Sequence, residues 1–61
     1  MWKISVFDDG LFLGYFSGWD HLNDSFSLSS KGGRTFENPN HCQETISRIR
    51  DDGYDAGLAL I

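Results

Sequence analysis

The feature that most constrains this chain is a single clear helical pattern, in residues 38–53. Asn38 is a favourable N-cap, and Pro39 suits the first helical position, where a backbone N–H would have no partner. Gly53 can end the helix because glycine adopts a positive φ at little cost. The apolar positions recur every three or four residues and form one narrow stripe: Cys42, Ile46 and Ile49. One helix of this kind can cover only one face of whatever the rest of the chain forms.

The rest of the chain predicts β-strands, because apolar and polar residues alternate in short segments. The predicted strands are residues 2–7, 11–17, 25–30 and 34–37, and Asp9-Gly10 predicts a type I′ turn after the first. Residues 54–61 are mostly apolar and are interpreted as a further strand, although Ala and Leu would also favour a short helix there. The order β-β-β-β-α-β predicts one α+β domain over residues 1–61, a small antiparallel sheet with one helix packed on one face.

The Asp9-Gly10 turn also predicts which hairpin side chains are buried, since turn geometry sets the pairing of the two strands. An uninterrupted ladder places one set of side chains in the core: Trp2, Ile4, Val6, Leu13 and Tyr15. The opposite face is then also apolar, and its members are candidates for binding a partner, together with a tryptophan in the following loop: Phe7, Phe12, Phe16 and Trp19. Aromatic residues on a sheet can also stack on RNA bases, so an RNA-binding module is a further alternative.

Acidic residues outnumber basic ones by nine to five, which gives a formal net charge of −4. This excess argues against direct binding to nucleic acid, which requires clustered Lys and Arg, and is compatible with a basic protein as the partner. The predicted topology brings five acids to one end of the molecule: Asp8, Asp9, Asp51, Asp52 and Asp55. Acids at a helix C-terminus are unfavourably placed against the helix dipole, which points to a functional role. The alternative is that short acidic side chains simply occupy turns and helix ends.

No catalytic, metal or cofactor site is expected. His41 and Cys42 are adjacent on the helix and cannot face each other as base and nucleophile, and Cys42 falls on the apolar stripe. Neither paired zinc-ligand spacing nor a phosphate-binding glycine loop occurs. The lack of a catalytic set, in a domain too small to enclose a substrate pocket, predicts a protein that is not an enzyme. One cysteine, no membrane-spanning run and no signal-peptide pattern at the start predict a cytoplasmic location.

In size, charge and its acidic groups at Asp8-Asp9, Asp51-Asp52 and Asp55, the chain resembles the small anti-CRISPR proteins encoded by bacteriophages. The resemblance is one of overall character and includes no diagnostic motif. It implies an inhibitor whose carboxylates replace DNA phosphates on a Cas effector subunit, in the cytoplasm of an infected bacterium. A structural or accessory module that uses the aromatic sheet face is the alternative, with the protein a monomer or a weak homodimer.

Overall fold

Four strands and one helix follow the order β-β-β-α-β in a computed structural model that describes residues 1–61. Their bounds are β1 Trp2–Asp8, β2 Leu11–Asp20, β3 Ser25–Ser29, α1 Pro39–Asp51 and β4 Asp55–Leu60. The strands form one antiparallel sheet in the order β3-β2-β1-β4, and α1 packs against β1 and β4. The predicted α+β class is therefore confirmed, as is a strand within residues 54–61. The helix is too short and too polar to cross a membrane.

Residues 34–37, predicted as a strand, make only one isolated bridge. The pairing of β1 with β2 ends at Ser5 and Tyr15, so a gap opens between the start of β1 and the second half of β2. Residues 34–37 lie between two diverging strands and cannot form a continuous ladder with either. The segment fills this gap by bonding to both strands. Arg34 N–H donates to the Phe16 carbonyl at 2.8 Å, and Phe36 exchanges two hydrogen bonds with Trp2, at 2.8 and 2.7 Å.

A β-bulge in β2 corrects the predicted hairpin faces. Asp9 and Gly10 have positive φ as predicted for the type I′ turn, and Phe7 pairs with Phe12 as predicted. Val6 then pairs with Gly14 rather than with Leu13, so Leu13 is the extra residue. One added residue moves all later side chains to the other face.

Phe16 consequently lies in the core, fully buried, whereas Leu13 and Tyr15 do not. The position of Gly14 shows why the bulge needs a glycine: its φ is +152°, and a Cβ there would lie 2.9 Å from the Ser29 carbonyl oxygen. A second irregularity follows between Phe16 and Gly18. Bulges bend a strand and increase its twist, so β2 does not run as a flat ribbon.

The core lies between the sheet and α1 and consists of seven buried residues: Ile4, Val6, Phe16, Cys42, Ile46, Ile49 and Ala56. All three residues of the predicted helical stripe are among them. The predicted helix boundaries are also close, since the Asn38 side chain accepts a hydrogen bond from Asn40 N–H at 2.9 Å. At the other end Gly53 has φ +97°, and the N–H groups of Gly53 and Tyr54 bond to Arg50 and Ile49 carbonyls. This is a Schellman motif, which turns the chain directly into β4.

Candidate functional site

A polar pocket lies where the C-terminal end of α1 meets the turn between β2 and β3. Its cavity volume is about 230 Å³. Its lining, here called the acidic pocket, consists of Trp19, Asp20, His21, Asp24, Ser25, Arg48, Asp51 and Asp52. Four aspartates and one arginine leave it with three net negative charges when His21 is neutral. The volume is below the ~300 Å³ typical of small-molecule sites, so the pocket suits a single cationic side chain better than a substrate.

The turn that contributes Asp20 and Asp24 is held by hydrogen bonds to one carboxylate. Asp20 accepts from the N–H of Leu22 at 3.1 Å and from Asn23 through its side chain at 2.8 Å and its backbone at 3.3 Å. The Asn23 side-chain hydrogen bond, followed by that from its backbone, lowers the pKa of Asp20 below its ordinary value of 3.8. Asp20 therefore stays ionised and orders the turn, which leaves Asp24, Asp51 and Asp52 free for other contacts.

The cation of the acidic pocket is held by an aromatic ring. The Arg48 guanidinium carbon lies 4.2 Å from the centre of the Trp19 ring, a cation–π distance. Trp19 in turn packs edge-on against Phe16, with ring centroids 5.0 Å apart. The chain contains one ion pair, and Arg48 is not part of it. The pocket aspartates are thus not neutralised by direct contact with this arginine.

The five aspartates predicted to share one end of the molecule have different local environments. Asp51 and Asp52 line the acidic pocket, at the end of α1. Asp8 and Asp9 are exposed at the β1–β2 turn and do not line it. Asp55 pairs across the sheet with Phe7, which puts it beside the Asp8-Asp9 turn, and it forms the single ion pair, with Arg50 at 3.6 Å. The structure thus places Asp20 and Asp24 beside Asp51 and Asp52 and places Asp55 beside the Asp8-Asp9 turn, and a single cluster of all five aspartates stays a prediction.

Sequence reasoning missed Asp20 and Asp24 as members of the acidic site. It ended the second strand at residue 17 and treated the residues that follow as a loop. In the structure β2 continues to Asp20 and brings the turn to the helix end, where the Phe26 ring lies 5.5 Å from that of Tyr54. The signal was present in Gly14 and Gly18, since an isolated glycine within a strand often marks a bulge.

Three of the four aromatic residues predicted as a binding face have three different environments. Phe12 is 43% exposed and lies on the uncovered sheet face, with its ring 5.7 Å from Phe7 and 5.1 Å from Tyr15. Phe16 is buried in the core and cannot contact a partner. Trp19 is half-buried and lines the acidic pocket. The uncovered aromatic face therefore consists of Phe7, Phe12 and Tyr15.

The structure contains no metal-binding cluster. No three His, Cys, Asp or Glu side chains, including those of the acidic pocket, are arranged so that they could hold a metal ion. Cys42 is fully buried in the core, and this burial raises the pKa of its thiol.

Comparison with protein-family models, curated proteins and solved structures found no match. Function must therefore be argued from the surface of the molecule itself.

Proposed function

We propose that this protein is a small, non-enzymatic inhibitor that binds the basic surface of a nucleic-acid-binding protein in place of the nucleic acid. The observation that carries the proposal is the unequal use of charges within the fold. Nine acidic side chains are present, and a single ion pair, Arg50–Asp55, engages one of them. Eight of the nine are exposed, and Asp20 is half-buried. Apart from Asp20 and Asp55, the carboxylates are therefore available to a partner.

The cations, in contrast, are mostly occupied by contacts within the chain. Lys3 donates to the carbonyls of Lys31 and Gly32 at 3.2 and 3.4 Å, and its Nζ lies 3.8 Å from the centre of the Tyr15 ring. Arg48 stacks on the Trp19 ring, and Arg50 pairs with Asp55. Three of the five cations thus serve the fold. These contacts hold the three cations in place without neutralising them, so the net charge offered to a partner remains −4, with few mobile cations to compete for the carboxylates.

The chemistry of such an inhibitor requires no cofactor. Carboxylates form charge-assisted and often bidentate hydrogen bonds with arginine, which is the residue that proteins use to hold DNA phosphates. The acidic pocket can accept one such side chain, and the Asp8-Asp9 turn can contact a second. A negative field also speeds the encounter with a positive groove. In line with the anti-CRISPR resemblance, we propose a Cas effector subunit as the target, in the cytoplasm of an infected bacterium.

The test is inhibition of target-DNA binding by host Cas effector complexes, measured by gel mobility shift at increasing inhibitor concentration. The double variant Asp51→Asn/Asp52→Asn should weaken inhibition by about tenfold or more, or about 1.4 kcal/mol. The matched control is Glu37→Gln/Glu44→Gln, which removes the same number of charges from exposed positions outside the acidic pocket. The control should inhibit like the wild type. Equal weakening by both variants would leave only net charge as the cause and would contradict a specific acidic site.

A second candidate function, an accessory interaction module, is supported by the uncovered aromatic face of Phe7, Phe12 and Tyr15. Helix α1 covers only the other side of the sheet, and exposed aromatic patches often mark partner sites or dimer contacts. Phe12→Ser separates the two candidates. A module of this kind should lose its partner or become monomeric on sedimentation, whereas the acidic inhibitor should retain its activity.

A further inference from the structure

Strand β4 is an edge strand, and side chains already bond the backbone N–H and C=O of Ala56, the first residue whose backbone groups point away from the sheet. Ala56 N–H donates to the Asp55 carboxylate at 2.9 Å, and the Ala56 carbonyl accepts from the Arg50 guanidinium at 2.8 Å. The two capping groups form the single ion pair of the chain, at 3.6 Å. Arg50 and Asp55 thus occupy the positions that a neighbouring strand would take at Ala56.

The remainder of this edge is open. Backbone groups in an antiparallel strand point alternately toward the two sides, and Ile61 N–H points to β1, where it bonds to the Met1 carbonyl at 3.1 Å. Leu58 and Leu60, like Ala56, therefore direct their N–H and C=O groups away from the sheet. The side chains of Leu58, Leu60 and Ile61 are 39%, 70% and 62% exposed.

This open edge also lacks the usual protection of edge strands. Residues 56–61 contain no charged residue and no proline, and the β1–β4 ladder has no bulge. Natural sheets generally place lysine, proline or a bulge at an exposed edge in order to prevent pairing with another chain. Here only Ala56 is blocked, and the two leucines beyond it are left available.

We propose that the open edge at Leu58 and Leu60 pairs with an extended, positively charged segment of the partner protein, which adds a fifth strand to the sheet. This inference rests on the proposed function and names the element of the partner that is bound. Charge favours this occupant, since a net charge of −4 attracts a basic segment and repels a second copy. Area favours it as well. The open edge spans about 17 Å, too short for the ~800 Å² per partner of a stable dimer, whereas strand addition gains affinity from backbone hydrogen bonds.

The experiment measures amide hydrogen exchange of the ¹⁵N-labelled chain by NMR, with the peptide Lys-Val-Lys-Val-Lys-Val-Lys-Val as the probe. The amides of Leu58 and Leu60 should exchange about tenfold more slowly with peptide. Ala59, whose N–H faces β1, should not change. The peptide with proline in place of each valine lacks half of the donors and should give no protection. Absence of protection with the first peptide, or protection that rises with protein concentration without peptide, would overturn the proposal, the latter in favour of a second copy.

A pair of leucine variants locates the site. Leu60→Lys places a positive charge on the open edge and should weaken peptide binding about tenfold. Leu22→Lys is the matched control, because Leu22 is 96% exposed in the β2–β3 turn. Both variants should retain the wild-type thermal transition. Equal affinities for the two variants would refute the edge site. The Asp51→Asn/Asp52→Asn variant should still show protection at Leu58 and Leu60, so failure of the edge proposal and failure of the inhibitor proposal give different results.

Discussion

Truncation of Phe16 tests the bulge in β2, on which the arrangement of core and surface depends. Phe16 is fully buried, with its ring centroid 5.0 Å from that of Trp19 and 6.3 Å from that of Phe26. Phe→Ala in a core costs about 3–5 kcal/mol. For a chain of 61 residues the total stability expected is roughly 3–9 kcal/mol, at about 0.05–0.15 kcal/mol per residue. Phe16→Ala should therefore remove between about one third and all of the free energy of unfolding.

Phe12→Ala is the matched change on the other face of the same strand. Phe12 is 43% exposed and loses mainly its edge-on contacts with Phe7 and Tyr15, so we expect a cost of about 1 kcal/mol. Urea unfolding followed by far-UV circular dichroism measures the free energy of unfolding of both variants. The dependence of that free energy on urea concentration (the m-value) should match that of the wild type. A larger loss for Phe12→Ala than for Phe16→Ala would mean that the strands pair without the bulge, and the description of both faces would be refuted.

Three further predictions concern single residues. Gly33→Ala should destabilise the fold by about 1–3 kcal/mol in the same urea assay, because the φ of Gly33 is +105° and the new Cβ would lie 2.7 Å from the Tyr15 Cβ. Gly18→Ala is the control, since a Cβ added at Gly18 would have no neighbouring atom within 4 Å. Cys42 should resist alkylation at about pH 8 until urea unfolds the chain, since burial raises the pKa of its thiol, and rapid labelling of the folded protein would contradict its place in the core. Hydrogen bonds from Asn23 lower the pKa of Asp20 in the folded state, so the stability that this carboxylate contributes is fully present above pH 3.8 and is lost as the pH falls through the lowered folded-state pKa. The stability difference between the wild type and Asp20→Asn, measured by thermal unfolding, should therefore shrink between about pH 5 and pH 2. A difference that stays constant with pH would contradict this prediction.

Local chemistry was sufficient to predict the first turn and the helix. Asp9-Gly10 adopts the predicted turn with positive φ at both residues. Asn38 caps α1 as predicted, and Gly53 ends it with a positive φ. Each of these features depends on residues within a few positions in the chain, so no knowledge of the tertiary structure was required.

Gly14 and Gly18 were a signal for a bulge, but they could not by themselves decide the faces of β2, because the contact that requires Gly14 involves a residue far along the chain. An uninterrupted ladder is the simplest reading of the alternation in residues 2–17, and it assigns Tyr15 to the core and Phe16 to the surface. The close approach of Ser29 to Gly14, 2.9 Å from the position of a Cβ, exists only once β3 has paired. One inserted residue exchanged the roles of two aromatic side chains.

The error at the acidic site has the same origin, which explains why the charges could be counted correctly and placed incorrectly. The bulge and the second irregularity bend β2, and the bend carries the β2–β3 turn to the C-terminal end of α1. Asp51 and Asp52 therefore meet Asp20 and Asp24, which the predicted topology had not placed beside them. Aspartates from an unrelated turn at the negative end of a helix dipole are unfavourable for folding. Arg48, the arginine that lines the acidic pocket, stacks on Trp19 without forming an ion pair with them. The fold gathers these acids without an ion pair among them, and the proposed inhibition has its physical basis in the compensation that a positively charged partner would supply.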